Sequence, residues 1–252
     1  MKELKGNMQK FEIKYRLRSA ECDRLNQMRL RSLFNLFQDM ADLHAEKFGF
    51  GYSFCLQNQM TWVGTGYHLV INRLPKRDEE FVIETWHAGS QLMTARRDFE
   101  LKDLEGNVLV AAYSNWALID LTKKRPVIVQ KYLSDETLVL KKSIDAEFKK
   151  VILPQDMGEA VSLQVRKDDI DINQHVNNAV YPAWILDGLE NDFLNTHCLK
   201  ELKIQFKTGA LLENEVAIFS KIEDTSTYHL IASPTKEKEF AVVEAGWQQV
   251  EE

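Results

Sequence analysis

The sequence predicts an α+β protein built from two copies of one unit, each a long apolar helix followed by antiparallel strands. Residues 29–44 place apolar side chains three and four positions apart, which is the spacing of one helix face. Residues 179–186 show the same broad apolar stripe in the second half. After each helix, short runs rich in Val, Ile, Phe, Tyr and Trp alternate with turn residues, a pattern typical of strands.

An internal repeat supports the two-copy prediction. "YHLVINRLPKRDEEFVIET" from Tyr67 matches "LKIQFKTGALLENEVAIFS" from Leu202 without a gap, 135 positions later. "YRLRSAECDRLNQ" from Tyr15 parallels "LQVRKDDIDINQH" from Leu163, 148 positions later, and one Trp late in each half also matches. Because these matches fall in the same order, they favour a tandem duplication over coincidence.

One long helix held by a curved antiparallel sheet is the layout of the hotdog fold, which normally pairs with a second copy. We therefore predict a tandem (double) hotdog, with each half a long helix wrapped by an antiparallel sheet. The N-terminal repeat is placed at residues 1–121 and the C-terminal repeat at 161–252. A charged connecting segment with two prolines is placed at 122–160. The alternative is two unrelated α+β domains.

Composition limits the classes of function. With 44% hydrophobic and 28% charged residues, the chain has the composition of a folded globular protein. A polar N-terminus and the lack of an apolar run of about 18 to 20 residues predict neither a secretory signal nor a membrane span. Three scattered cysteines predict a cytoplasmic protein with reduced thiols and no metal site. The net charge of -6 argues against a nucleic-acid partner.

The stretch "DINQHVNNAVYPAWILD" at residues 171–187 concentrates polar groups just before the second helix. Asp171, Asn173 and His175 alternate, so they would project from one side of an extended segment. A helix N-terminus beside a cleft can hold a developing oxyanion while His175 or Asp171 accepts a proton. From the residues alone, a hydrolytic site and a structural polar turn both remain open.

The start of that helix is predicted near Asn178. Asn177 or Asn178 is a candidate cap, since Asn side chains accept hydrogen bonds from the first free N–H groups of a helix. Pro182 is compatible with a helix only in its first turn.

The same stretch resembles the D-x-N-x-H-V-N-N-x-x-Y-x-x-W-x-L-[ED] signature of the acyl-ACP thioesterases, plant and bacterial enzymes that release fatty acids from acyl carrier protein. "WVGTGYHLVINRLPKRDEEFVIETW", "ARRDFEL" and "NWALIDLTKKRP" resemble other segments of that family. The resemblance implies a tandem hotdog whose active site lies in the second repeat. The matching positions of the first repeat, Asp23, Leu25 and Gln27, keep the carboxylate but not the Asn and His.

The resemblance also implies residue roles. Asp171 would polarise water or hold the polar network, Asn173 would orient the thioester or the water, and His175 would be the general base or a hydrogen-bond partner. Four further residues are assigned to substrate binding. For two of them, Tyr181 and Trp184, the alternative is that the side chain packs in the hydrophobic core. The four residues are Asn178, Tyr181, Trp184 and Trp62.

One position departs from the family pattern. The family usually has a Glu on the strand after this helix, where this chain has Gly209, and plant members often have Cys where it has Ala210. The nearest later carboxylate is Glu213, which could substitute only if a turn brings it back. Either Asp171 and His175 suffice for catalysis, or the protein is a weak enzyme.

These inferences lead to a leading hypothesis and two alternatives. The first is hydrolysis of fatty acyl-ACP by water in bacterial fatty acid synthesis, with no cofactor. The others are an acyl-CoA thioesterase on the same fold and a catalytically weak acyl-binding protein. An exposed sheet edge would also allow a homodimer. Because the carrier protein is acidic, we expect it to dock on basic side chains, namely Arg96, Arg97, Lys123, Lys124 and Arg125.

Overall fold

The computed structural model describes residues 2–3, 9–133 and 137–250. The chain divides into two compact units, Met1–Glu147 and Phe148–Glu252. No helix in the described part of the chain is long and apolar enough to cross a membrane.

The first unit is an antiparallel sheet with two helices. Its elements are β1 (Lys2–Glu3), β2 (Lys10–Arg16), α1 (Leu30–Lys47), α2 (Tyr52–Asn58), β3 (Met60–Ile71), β4 (Glu80–Gln91), β5 (Thr94–Lys102), β6 (Val108–Asp120) and β7 (Arg125–Pro126). The strand order is β1-β2-β4-β5-β6-β3, and β7 pairs with β6.

Helix α1 confirms the apolar stripe predicted from the sequence. Its buried residues include every member of the three-and-four spacing, while Leu43, which would have widened the stripe, is 40% exposed. The polar residue His44 is also buried. The sequence did not predict α2, because seven residues are too few to show a helical period.

The predicted connecting segment packs largely on the first unit. The N–H of Val139 donates to the carbonyl of His87 at 2.9 Å, and Ser143 Oγ donates to Asp98 Oδ2 at 2.9 Å. Val151 lies in the hydrophobic core of the second unit. Residues 122–160 are thus shared between the two units.

The second unit is also an antiparallel sheet with two helices. Its elements are β8 (Ala160–Gln164), α3 (Tyr181–Asp187), α4 (Asn191–Thr196), β9 (His197–Phe206), β10 (Glu215–Glu223), β11 (Ser226–Ala232) and β12 (Glu239–Gln249). The strand order is β9-β12-β11-β10-β8. With 7 residues against 18 in α1, α3 is shorter than the long helix predicted for this half. It ends at Asp187, and the cap residue Gly188 lies close to β10, since a Cβ there would lie 2.5 Å from Ser220 Oγ and 2.9 Å from Ile218 Cγ2.

A buried polar chain runs across the sheet of the second unit. Trp247 Nε1 donates to Thr227 Oγ1 at 2.9 Å, Thr227 Oγ1 lies 2.8 Å from His229 Nε2, and Ser220 Oγ lies 2.8 Å from His229 Nδ1. His229 is fully buried. Burial disfavours the charged imidazolium and lowers the pKa of His229 to about 3.

This buried histidine should make the protein less stable in mild acid. Between pH 6.5 and 3 the unfolded chain binds a proton that the folded His229 does not, so each pH unit in this window should lower the free energy of unfolding by about 1.4 kcal/mol. Urea unfolding at pH 7 and pH 5 should therefore show a smaller pH effect for His229→Gln than for the unsubstituted protein. Equal pH effects in the two proteins would contradict this assignment.

Candidate active site

The stretch that begins at Asp171 forms a tight hairpin turn organised by one carboxylate. Asp171 Oδ1 accepts the N–H of Asn173 at 2.8 Å and the N–H of His175 at 3.3 Å. The N–H of Asp171 donates to the carbonyl of His175 at 2.8 Å, and Gln174 is in the left-handed region with φ 62°. These are the features of a three-residue hairpin loop that ends in a left-handed residue.

The same turn occurs twice in the first unit. At Asp23 and at Asp103, the carboxylate Oδ1 accepts the N–H groups two and four residues further on, at 2.8 to 3.0 Å. The residue three positions on is again left-handed, Asn26 at 57° and Gly106 at 91°. The hydrogen bonds of Asp171 are therefore those of a turn-forming residue, as in two copies that carry no His at the last position.

A backbone clamp fixes the turn to the loop after β9. The N–H of Val176 donates to the carbonyl of Ala210 at 2.8 Å, and the N–H of Met28 donates to the carbonyl of Pro75 at 2.9 Å in the first unit. Val176 and Met28 are 148 positions apart, whereas Ala210 and Pro75 are 135 apart, which are the two spacings of the sequence repeat. The two copies of the site therefore share one backbone arrangement.

His175 is exposed, and its ring is oriented by its own turn. His175 Nδ1 lies 2.8 Å from the carbonyl oxygen of Asn173. Since a carbonyl oxygen only accepts, Nδ1 must carry the proton, and the neutral ring has its lone pair on Nε2. His175 thus presents a proton acceptor, while the side chain of Asn173 is exposed beside it.

Tyr181 and Trp184 belong to the core of the second unit. They are 1% and 7% exposed, and their rings make an edge-to-face contact. The Tyr181 hydroxyl accepts the N–H of Ala210 at 3.0 Å, so it helps to fix the loop after β9. Burial raises the pKa of Tyr181 to about 12, which keeps the hydroxyl neutral. These contacts match the core alternative for both residues.

Asn177 caps a turn that precedes the helix, and not the helix itself. Its Oδ1 accepts the N–H of Ala179 at 2.8 Å and its carbonyl accepts the N–H of Val180 at 2.9 Å. Helix α3 begins at Tyr181, three residues later than predicted, with Pro182 in its first turn. The N–H groups of Ala179 and Val180 are therefore used within the fold and do not face a reacting carbonyl.

The other residues assigned to substrate binding are half-buried. Asn178 lies in the turn before α3. Trp62 lies in the first unit, where its Nε1 donates to the carbonyl of Phe50 at 2.8 Å and its ring packs on a small core formed by Cys55, Ala95, Leu118 and Val129. A role in substrate binding stays a prediction for both.

Arg96 and Arg97 do not fit the predicted docking surface, because both side chains are engaged inside the first unit. Arg96 is paired with buried Asp98 at 2.7 Å and has a side-chain exposure of 10%. Arg97 donates toward His44 Nδ1 at 2.8 Å and Thr85 Oγ1 at 3.3 Å, and burial lowers its pKa to about 10, which leaves it charged at neutral pH. The prediction that these two arginines dock a carrier is corrected.

The remaining basic residues of that set lie on the surface. Lys124 and Arg125 are exposed. The Lys123 side chain is 61% exposed and pairs with Asp120 at 3.0 Å. These three cations, two in the turn after β6 and one at the start of β7, stay candidates for docking an acidic partner and are called the 123–125 patch below.

No second acidic group completes the site in the part of the chain that the structure describes. Glu213 is exposed in the turn that joins Leu211 to Asn214, and no hydrogen bond or ion pair among the described residues joins it to His175. Gly209 lies directly against the His175 ring. Within the described ranges, no group of three or more His, Cys, Asp or Glu side chains is arranged to hold a metal ion.

Comparison with known proteins relates this arrangement to one group of enzymes. The chain is 27% identical over 215 residues to oleoyl-acyl carrier protein thioesterase 2, chloroplastic, of Arabidopsis thaliana, which covers 78% of this chain and 59% of that protein. It is 26% identical over 239 residues to palmitoyl-acyl carrier protein thioesterase, chloroplastic, of Gossypium hirsutum, covering 88% and 57%. The chain thus spans less than two thirds of these curated relatives.

Solved structures show the same fold. An acyl-ACP thioesterase from Bacteroides thetaiotaomicron superposes with a TM-score of 0.86 at 19% identity, covering 95% of this chain and 98% of that one. The 12:0-ACP thioesterase from Umbellularia californica gives 0.86 at 21% identity, covering 98% and 99%. The predicted tandem hotdog fold is confirmed.

Two family models together account for most of the chain. The acyl-ACP thioesterase N-terminal domain matches residues 8–137, and the acyl-ACP thioesterase C-terminal domain matches residues 154–249. This protein belongs to the acyl-ACP thioesterase family.

Proposed function

We propose that this protein hydrolyses the thioester of fatty acyl-ACP and releases the free fatty acid, with chemistry in the second unit. The observation that carries the proposal is the His175 ring, which is exposed on a fixed turn with Nδ1 donating and Nε2 able to accept a proton. Membership of the acyl-ACP thioesterase family supports the substrate class.

In the proposed reaction, water is the nucleophile and His175 moves its proton. Nε2 takes a proton as the water oxygen attacks the thioester carbonyl, which gives a tetrahedral intermediate with a negative oxygen. Collapse of this intermediate breaks the C–S bond, and the leaving thiolate takes the proton from His175. The products are a fatty acid and the thiol of the carrier. The amide of Asn173 is assigned to orient the water or the thioester, and Asp171 to hold the turn.

The setting of the enzyme is also part of the proposal. All three cysteines are free thiols. Reduced thiols and an acyl-ACP substrate fit an enzyme of bacterial fatty acid synthesis in the cytoplasm. Matched assays with acyl-ACP and acyl-CoA of one chain length would separate the proposed carrier from the alternative.

Removing the imidazole should abolish most of the activity. A positioned general base contributes roughly 100-fold to 10,000-fold to a rate, so His175→Ala should lower kcat for acyl-ACP hydrolysis by that order. Release of free fatty acid by the purified proteins is the measurement, with Gln27→Ala, at the same place in the first copy of the turn, as the matched control. Full activity of His175→Ala, or loss of activity in Gln27→Ala, would contradict a site confined to the second unit.

The turn-forming role of Asp171 predicts different effects for two substitutions. Asp171→Asn keeps an oxygen that can accept both N–H groups, so it should fold and retain at least about a tenth of the activity. Asp171→Ala removes both hydrogen bonds and should lower the free energy of unfolding by about 1 to 2 kcal/mol, as should Asp23→Ala in the first copy. If folded Asp171→Asn loses as much activity as His175→Ala, the Asp171 charge takes part in the chemistry and the turn-only role fails.

Carrier docking on the 123–125 patch predicts a salt-dependent KM. Raising ionic strength screens charges at a surface, so KM for acyl-ACP should rise while kcat changes little. Lys124→Glu should raise KM for acyl-ACP at low salt by several-fold, whereas Lys238→Glu, the same charge change on an exposed loop of the second unit, should not. An unchanged KM for Lys124→Glu would remove the patch from the proposed docking surface.

A further inference from the structure

Gly209 leaves room for the His175 ring that no other residue would leave. A Cβ at position 209 would lie 2.6 Å from His175 Cδ2, 3.2 Å from Cγ and 3.5 Å from Nε2. Carbon atoms in contact stay at about 3.5 to 4.0 Å, so any side chain at 209 would collide with the ring. The imidazole occupies the space in which the side chain of residue 209 would begin.

Close approach, and not backbone conformation, accounts for the glycine. Among the described residues, the glycines with a left-handed φ are Gly49, Gly89 and Gly106, so Gly209 has a backbone that alanine can adopt. A substitution at 209 therefore tests the contact with His175 without adding backbone strain.

Hydrogen bonds hold both sides of the contact between Gly209 and the His175 ring in place. The chain beside Gly209 is fixed at Ala210, whose N–H donates to Tyr181 and whose carbonyl accepts from Val176. From the other side, the His175 ring is held by its hydrogen bond to the Asn173 carbonyl. Displacing the ring would break that hydrogen bond and turn Nε2 away from its present direction.

The first unit shows the complementary pair. With the same backbone clamp, the position of Gly209 is occupied by Leu74, and the position of His175 is occupied by Gln27. A side chain is present at this loop position only in the copy that has Gln in place of the His ring. The second copy thus combines Gly209 with His175, whereas the first copy combines Leu74 with Gln27.

We propose that Gly209 is a positioning residue for the reaction: the missing Cβ lets the His175 ring lie against the backbone, with Nδ1 on the Asn173 carbonyl and the lone pair on Nε2. This inference rests on the proposed function. In the present orientation of the ring, a Glu at 209, where the family pattern has one, would meet the ring at its own Cβ. Gly209→Glu should therefore lower activity and not raise it.

The experiment compares Gly209→Ala with Gly246→Ala, a matched control whose new Cβ would meet Glu201 Cβ at an ordinary 3.5 Å. Misplacing a catalytic group by about 1 Å can cost on the order of 100-fold. Gly209→Ala should thus lower kcat by about that factor and change KM less than about twofold. In a His175→Ala background the same substitution should cause no further loss, because there is no ring to displace.

A second readout does not depend on activity. The Cε1–Hε1 NMR signal of His175 should shift in Gly209→Ala and stay in place in Gly246→Ala. An unshifted signal, a kcat unchanged by Gly209→Ala, or an equal further loss in the His175→Ala background would each overturn the inference. If the unsubstituted protein releases no fatty acid, the proposed function fails, and the NMR signal alone decides whether Gly209 positions the ring.

Discussion

Two hydrogen bonds from backbone N–H groups to one oxygen of Asp171 determine the geometry of the candidate site. They close the turn that brings the Asn173 carbonyl to His175 Nδ1 and places Val176 where it reaches the Ala210 carbonyl. The orientation of the imidazole and its distance from Gly209 both follow from this turn. The Asp171 carboxylate lies beside Asn173 and His175, which suggests a catalytic role, but its hydrogen bonds in the structure stabilise the turn.

The two halves of the chain show how such a turn acquires chemistry. The turn and its clamp are the same around Asp23 and Asp171, down to the left-handed residue three positions on. What differs is the side chains: the first copy has Leu25, Gln27 and Leu74 where the second has Asn, His and Gly. The asymmetry in proposed function therefore needs no change in backbone, only substitutions around a shared scaffold.

The sequence predicted the elements whose pattern is local. The 16-residue apolar stripe of α1 and the strand runs were clear, because burial repeats along the chain at the helical or strand period. The short α2 was missed and α3 was predicted too long, since seven residues carry little periodicity. Contacts through space, such as the one between His175 and Gly209, have no signature in one sequence.

Arg96 and Arg97 in β5 show that a charged residue type does not predict a surface position. Adjacent residues on a strand face opposite sides. Both Arg96 and Arg97 were expected at the surface, where they would dock an acidic carrier. Instead, the carbonyls of Ile144 and Ala146 bind Arg96 on one side, and His44 of α1 meets Arg97 on the other. Both faces of the strand are covered by segments far away in the chain, which a charge pattern does not reveal.

The proposed chemistry requires that His175 is held in one tautomer, with the proton on Nδ1 and the lone pair on Nε2. This can be measured in the long-range ¹H–¹⁵N spectrum of the histidine side chains at a pH where the ring is neutral. His175 Nδ1 should resonate as a protonated nitrogen and Nε2 as an unprotonated one. A ring protonated on Nε2, or one that averages between both forms, would contradict it.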